Sequence, residues 1–168
     1  MRGFTLERLG RIARFRGDKE KARANFEAAR SKFEEWLGKK PQYNSPSTLW
    51  VEAHSLAYIA EIDAALGHKE DAIREARNAV ERWPNGLLAP NIQALLAIVY
   101  VWTGERDAAF SQLAGLVKLP AVPSLQWWAC PAAVTAGELK LNPIWDELRN
   151  DPRFDKIVAQ AAKPIKLD

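Results

Sequence analysis

The sequence is poor in the residues that most often carry chemistry. Cys130 is its only cysteine and His54 and His68 its only histidines, in 168 residues. One thiol cannot build a disulfide framework, and one Cys with two His cannot fill a multi-ligand Cys/His zinc site. No stretch reads G-x-S-x-G, G-x-G-x-x-G or H-E-x-x-H, and there is no phosphate-binding P-loop. Cys130 lies in Trp127-Trp128-Ala129-Cys130-Pro131, where nothing local supplies a base or a lowered thiol pKa. The expectation is a chain that is not an enzyme and takes no cofactor and no metal.

Charge of one sign is also scarce. Lys and Arg number 24 and Asp and Glu 21, a net of +3, too little to imply a nucleic-acid binder by itself. The apolar run Leu95–Trp102 falls far short of the ~18 residues of a membrane span. No apolar stretch of a secretory leader follows the first Arg. The Arg-rich, amphipathic residues 1–16 superficially suggest an organelle-import peptide. The same residues take part in the repeat described next, so the expected location is the cytoplasm, which a single Cys also fits.

What the sequence does have is a repeat. Gly17, Gly67 and Gly104 each have an alanine five residues later, at Ala22, Ala72 and Ala109. The intervening residues, such as Gly67-His68-Lys69-Glu70-Asp71-Ala72, are polar and read as short turns entering a helix. Glycine there supplies the backbone angle that ends a helix. Glu20, Glu70 and Glu105 fall near the starts of the following helices, where negative charge suits the helix dipole. Eight residues before each glycine stands Leu9, Ile59 or Leu96, and seven before stands Gly10, Ala60 or Ala97. Nine after stands Phe26, Ala76 or Leu113, and twelve after stands Ala29, Ala79 or Leu116. The spacing is helical, and small residues at the crossings allow close approach of paired helices.

These residues resemble the tetratricopeptide repeat, a helix–turn–helix unit of about 34 residues. Leu9-Gly10, Gly17, Ala22, Phe26 and Ala29 match it once. Ile59-Ala60, Gly67, Ala72, Ala79 and Pro84 match it again. Leu96-Ala97, Tyr100, Gly104, Ala109 and Pro120 match it a third time. Asp63 and Ala13 stand where the family pattern has Tyr, and the early Trp is missing from all three. The turn glycines lie 50 and then 37 residues apart, so residues are inserted, most of them between the first two repeats. There a long second helix is expected to run to about Lys39 and stop at Pro41. Ser45 and Pro46 should then start a helix over about 46–66.

The resemblance implies an all-α fold, a right-handed α-α superhelix of three helical hairpins at about 3–40, 46–86 and 88–120. Residues 124–168 would form a capping region of short helices. Asn142-Pro143 and Asp151-Pro152 read as helix starts there. Trp145 and Leu148 share one face, and Phe154, Ile157 and Val158 another. The run from Leu139 to Phe154 is similar to the C-terminal end of bacterial tetratricopeptide regions in signalling proteins. Most of the seven tryptophans, including Trp127 and Trp128, are expected to pack in seams and cap.

In that family the first helices of the hairpins line a concave groove for a peptide or a partner domain. Projected onto this chain, the groove residues are Glu7, Arg8, Arg11 and Arg14, then His54, Tyr58 and Glu61, then Asn91 and Ile98, with Ala57, Ala94 and Leu95 between them. The family's carboxylate clamp is not carried over, because its positions read Glu7-x-x-x-Arg11 and Asn91-x-x-x-Leu95. Residues 1–40 hold 12 Lys and Arg against 6 Asp and Glu, so the partner is expected to be an acidic protein or peptide segment. A sibling domain or self-association would serve the same surface. Substituting Arg11 and Arg14 by Glu should then weaken binding and leave the fold intact. Nucleic-acid binding through the basic third is the weaker alternative, since only Phe4 and Phe15 interleave the cations of the first helix.

Overall fold

A computed structural model describes residues 2–39, 46–86, 89–119 and 134–163. Every regular element among them is helical. The helices are α1 (Arg2–Phe15), α2 (Lys19–Gly38), α3 (Pro46–Leu66), α4 (Lys69–Arg82), α5 (Ala89–Trp102), α6 (Arg106–Leu116), α7 (Ala136–Leu141) and α8 (Pro152–Ala161), with a 3₁₀ helix at Pro143–Leu148. The chain divides into two compact units, Met1–Trp83 and Pro84–Asp168. Among the described residues no helix is long and apolar enough to cross a membrane.

Three helical hairpins, α1–α2, α3–α4 and α5–α6, share one turn geometry. The turn glycines have φ of 78° at Gly17, 90° at Gly67 and 79° at Gly104, where a side chain would strain the backbone. The next residue donates its N–H back over the helix end: Asp18 to the Ala13 carbonyl at 3.0 Å, His68 to Asp63 at 2.8 Å, Glu105 to Tyr100 at 2.8 Å. Its own carbonyl then accepts from the incoming helix, from Ala22 at 2.9 Å, Ala72 at 3.0 Å and Ala109 at 2.9 Å. Carbonyls orphaned at one helix end and amides orphaned at the next are thus satisfied within a few residues. The three alanines are buried.

In the first unit, α1 packs on α2, α2 on α3 and α3 on α4. Gly10 makes the first crossing close, because a Cβ there would stand 2.7 Å from the Phe26 ring. The α2 helix ends at Gly38, a residue short of the expected Lys39, and α3 spans the expected 46–66. The capping role expected of Ser45 lies outside the described residues.

In the second unit, α5 packs on α6 and on the 3₁₀ helix, and α8 packs on α6 and α7. The third hairpin therefore groups with the C-terminal helices, whereas the sequence suggested a division near 123. The reason is apolar coverage. α5 is apolar on every side, with Ile92, Leu95, Val99 and Val101 all buried. Leu139, Trp145, Leu148, Phe154 and Ile157 supply the complementary core. The Trp145 indole N–H donates to Glu138 at 3.0 Å. Arg153 reaches Asp107 of α6 at 2.5 Å and lies over the Phe110 ring. Both expected cap-plus-proline starts form: Asn142 accepts from the Ile144 N–H and Asp151 from the Arg153 N–H. Trp127, Trp128, Cys130 and the tail beyond Lys163 lie outside the described residues.

Candidate functional site

The nine residues projected onto a groove take three different places. Glu7, His54, Tyr58, Glu61, Asn91 and Ile98 are buried, so they serve packing instead of an open lining. Arg11 is nearly buried, its side chain 11 % exposed. Arg8 and Arg14 stay half-exposed on α1. The sequence reading missed this because helical phase places a residue on a face but does not say what lies over that face.

In the first unit the buried residues form two adjoining clusters. In one, Arg11 pairs with Glu7 one turn back on α1 and with Glu61 on α3. Burial opposes every charge in the set. It raises the Glu7 pKa against the pull of Arg11, and pushes Glu61, which also meets the Glu7 carboxyl, up to about 8. Burial works against the Arg11 charge too, yet Glu61 and Glu7 overcome it and hold the guanidinium charged. Two carboxyls and one guanidinium become neutral when a single carboxyl keeps its proton. Replacing Arg11 by Glu would put a third carboxyl in this space, so that substitution tests the fold and not a ligand.

The other cluster is aromatic. Phe4 meets Phe33 and Tyr58 edge-on, each at 5.0 Å between ring centres, and Phe33 stacks on Tyr58 at 5.6 Å. His54 stacks on Trp50 at 4.6 Å and meets Tyr58 edge-on. Burial holds the His54 pKa down to about 4, so the ring is neutral at ordinary pH. Its Nε2 and the Trp50 Nε1 have no hydrogen-bond partner among the described residues.

Asp63 organises a third set, at the position where the other two hairpins carry Ala13 and Tyr100. It accepts from Arg30 of α2 twice, at 2.8 and 3.2 Å, and lies 3.0 Å from His68 Nδ1. Asp63 is wholly buried, while His68 at the turn is exposed. The Asp63 hydrogen bond is the leading cause that raises the Arg30 pKa. Nearby Glu75 is pushed up to about 7, first by burial and then by the Asp63 charge.

An open cleft of about 440 Å³ lies where the first turn of α1, the last turns of α2 and the first half of α3 meet. That volume falls in the ~300–1,000 Å³ range typical of ligand clefts. Phe4, Phe33 and Trp36 give it apolar walls, and Arg2, Lys32 and Lys39 give it cations. Trp36 is 36 % exposed, unusual for the largest apolar side chain. Glu35 bridges Lys32 and Lys39, each at 2.8 Å, and their hydrogen bonds hold its carboxyl down to about 2. Sequence reasoning did not single out these residues. The available signal was Phe33 and Trp36 at helical spacing, flanked by Lys32 and Lys39.

Among the described residues no three His, Cys, Asp or Glu side chains gather as a metal-ligand set. No family model matches the chain, and neither a curated protein nor a solved structure is significantly similar to it.

Proposed function

We propose that this chain is a non-catalytic protein-interaction module of tetratricopeptide type, a scaffold or regulatory part of a signalling protein. Its three hairpins would stack in a right-handed superhelix capped by the C-terminal helices. The support for this repeat reading is the turn bonding reproduced at Gly17, Gly67 and Gly104. The observation that carries the binding role is the cleft walled by Phe4, Phe33 and Trp36 and edged by Arg2, Lys32 and Lys39. An aromatic side chain of a bound peptide would occupy the walls, and neighbouring carboxylates would meet the cations. The surrounding helices are already packed, so little ordering is lost on the protein side. Arg11, Arg23 and Arg30 are tied to carboxylates of this same unit, which thins the basic footprint a nucleic acid would need.

The test is fluorescence anisotropy of a labelled Glu-Glu-Phe-Glu-Glu peptide with the full chain. Trp36→Ala, and separately Lys32→Glu with Lys39→Glu, should each weaken binding about tenfold, roughly 1.4 kcal/mol. Equal binding by both variants defeats the reading, as does tighter binding of a single-stranded oligonucleotide of equal charge.

A further inference from the structure

The hairpin equivalence exposes a second surface. On α3, Ser55, Ile59, Ile62 and Leu66 follow one another along the side that faces α2. Ser55 lines the cleft with Phe33 and Trp36, and Leu66 lies beside Arg30 and Glu34. The Phe33–Tyr58 stack and the Arg30–Asp63 ion pair flank the same stripe. Ser55, Ile59 and Ile62 are accordingly buried, at 2 %, 4 % and 0 % exposure. Counting back from the turn glycines, the equivalent residues of α5 are Ile92, Leu96 and Val99, and they too are buried.

On α1 the equivalents are Thr5, Leu9 and Ile12, and these are exposed. Leu9 is 43 % exposed, Ile12 47 %, and Phe15 beside them 39 %. Three large apolar side chains at three-residue spacing thus present an apolar stripe on the one hairpin helix that lacks a cover at these positions among the described residues. Its flanks are basic. Arg2, Arg8 and Arg16 are exposed or half-exposed on or just after α1, and Glu7, the one acid in the helix, is buried against Arg11. Arg8 also stands where α3 has Tyr58, the residue that stacks on Phe33 of the covering helix.

We infer that the outer face of α1 is a seat for an acidic amphipathic helix of a partner protein. It lies along Thr5, Leu9 and Ile12 as α2 lies along α3, its apolar stripe on Leu9, Ile12 and Phe15 and its carboxylates against Arg8 and Arg16. The equivalence fixes the kind of element, a helix in the place of α2. The charge of α1 fixes its chemistry, because no acidic side chain on the exposed side of α1 is there to meet a basic helix. The seat lies on a different side of α1 from the cleft residue Phe4.

The experiment uses the full chain and two labelled synthetic helices, with leucines at three- and four-residue spacing and either glutamates or lysines along both edges. The glutamate helix should bind at least about tenfold tighter than the lysine helix at low salt. Leu9→Asp with Ile12→Asp should weaken it about tenfold or more, and Arg8→Glu with Arg16→Glu should reverse the preference. Leu9 and Ile12 are exposed, so circular dichroism melts of that variant should match the parent, and the helical spectrum of the Arg8/Arg16 variant checks that it is folded. Trp36→Ala should leave helix binding unchanged, which separates failure of this seat from failure of the cleft. Equal binding of the two helices overturns the inference, as does binding unaffected by the Leu9/Ile12 pair. A dimer in sedimentation that the Leu9/Ile12 pair dissociates also overturns it, since the occupant would then be a second copy.

Discussion

Gly10 on α1 and the ring of Phe26 on α2 are so close that a β-carbon on the glycine would lie 2.7 Å from the ring. Phe26 is a 2 % exposed core residue and cannot easily turn away. Gly10→Ala should therefore destabilise the first unit by about 1–3 kcal/mol through overpacking, despite the better helix propensity of alanine. Gly115 in α6 makes the contrast, because a β-carbon there would meet nothing within 4 Å. Gly115→Ala should be neutral or stabilise by roughly 0.5 kcal/mol. Urea melts of both variants read the difference, and similar effects at the two sites would contradict the packing account.

The Glu7–Arg11–Glu61 set predicts a stability that depends on pH. Glu61 ordinarily titrates at 4.5 and is raised to about 8 in the fold. Between those values the folded chain keeps a proton that the unfolded chain has released, so raising the pH favours unfolding. Glu75, raised to about 7, acts in the same direction over a narrower range. The melting temperature should fall as pH rises from 6.5 to 8, within that window, and level off above it. Glu61→Gln cannot ionise and should flatten this slope. Parallel curves for parent and variant would show that Glu61 does not hold the proton.

His54 works in the opposite sense on the acid side. Its pKa is lowered from 6.5 to about 4 by burial in the aromatic cluster. Below 6.5 the unfolded chain takes up a proton that the folded chain refuses, so stability falls with pH until about 4 and is constant below it. His54→Phe keeps an aromatic ring against Trp50 and Tyr58 and removes the titration. Relative to the parent, it should gain stability progressively from pH 6.5 to 4. A constant difference across that range would exclude His54 as the cause.

Asp63 joins three elements through Arg30 and His68, and it is wholly buried. Asp63→Asn keeps the shape and loses the charge that Arg30 meets at 2.8 Å, so it should cost about 1–3 kcal/mol. The same change removes one of the two leading causes that raise Glu75, whose pKa should drop from about 7 toward 4.5. Side-chain NMR titration of Glu75 reads that shift in the folded variant, and a pKa that stays near 7 would exclude the Asp63 charge as a cause.

The chain's own residues determined the hairpins. Gly17, Gly67 and Gly104, the alanines five residues on, and the caps at Asn142 and Asp151 act over a few residues of backbone, and local rules of turn and cap geometry sufficed to place them. The small residue Gly10 likewise announced a close crossing, because helix periodicity set it against Phe26. What lay across space was decided only by the tertiary structure. Phase placed Glu7, Arg11, His54, Tyr58 and Glu61 on shared faces, but α1 and α3 close over them, and burial turned a projected binding surface into a neutralised ionic core. The exposure of Leu9 and Ile12, against the burial of Ile59 and Ile62 at the same repeat positions, was equally invisible in the pattern. All four are aliphatic residues at equivalent helical positions, and which of them meets water depends on whether another helix is packed there.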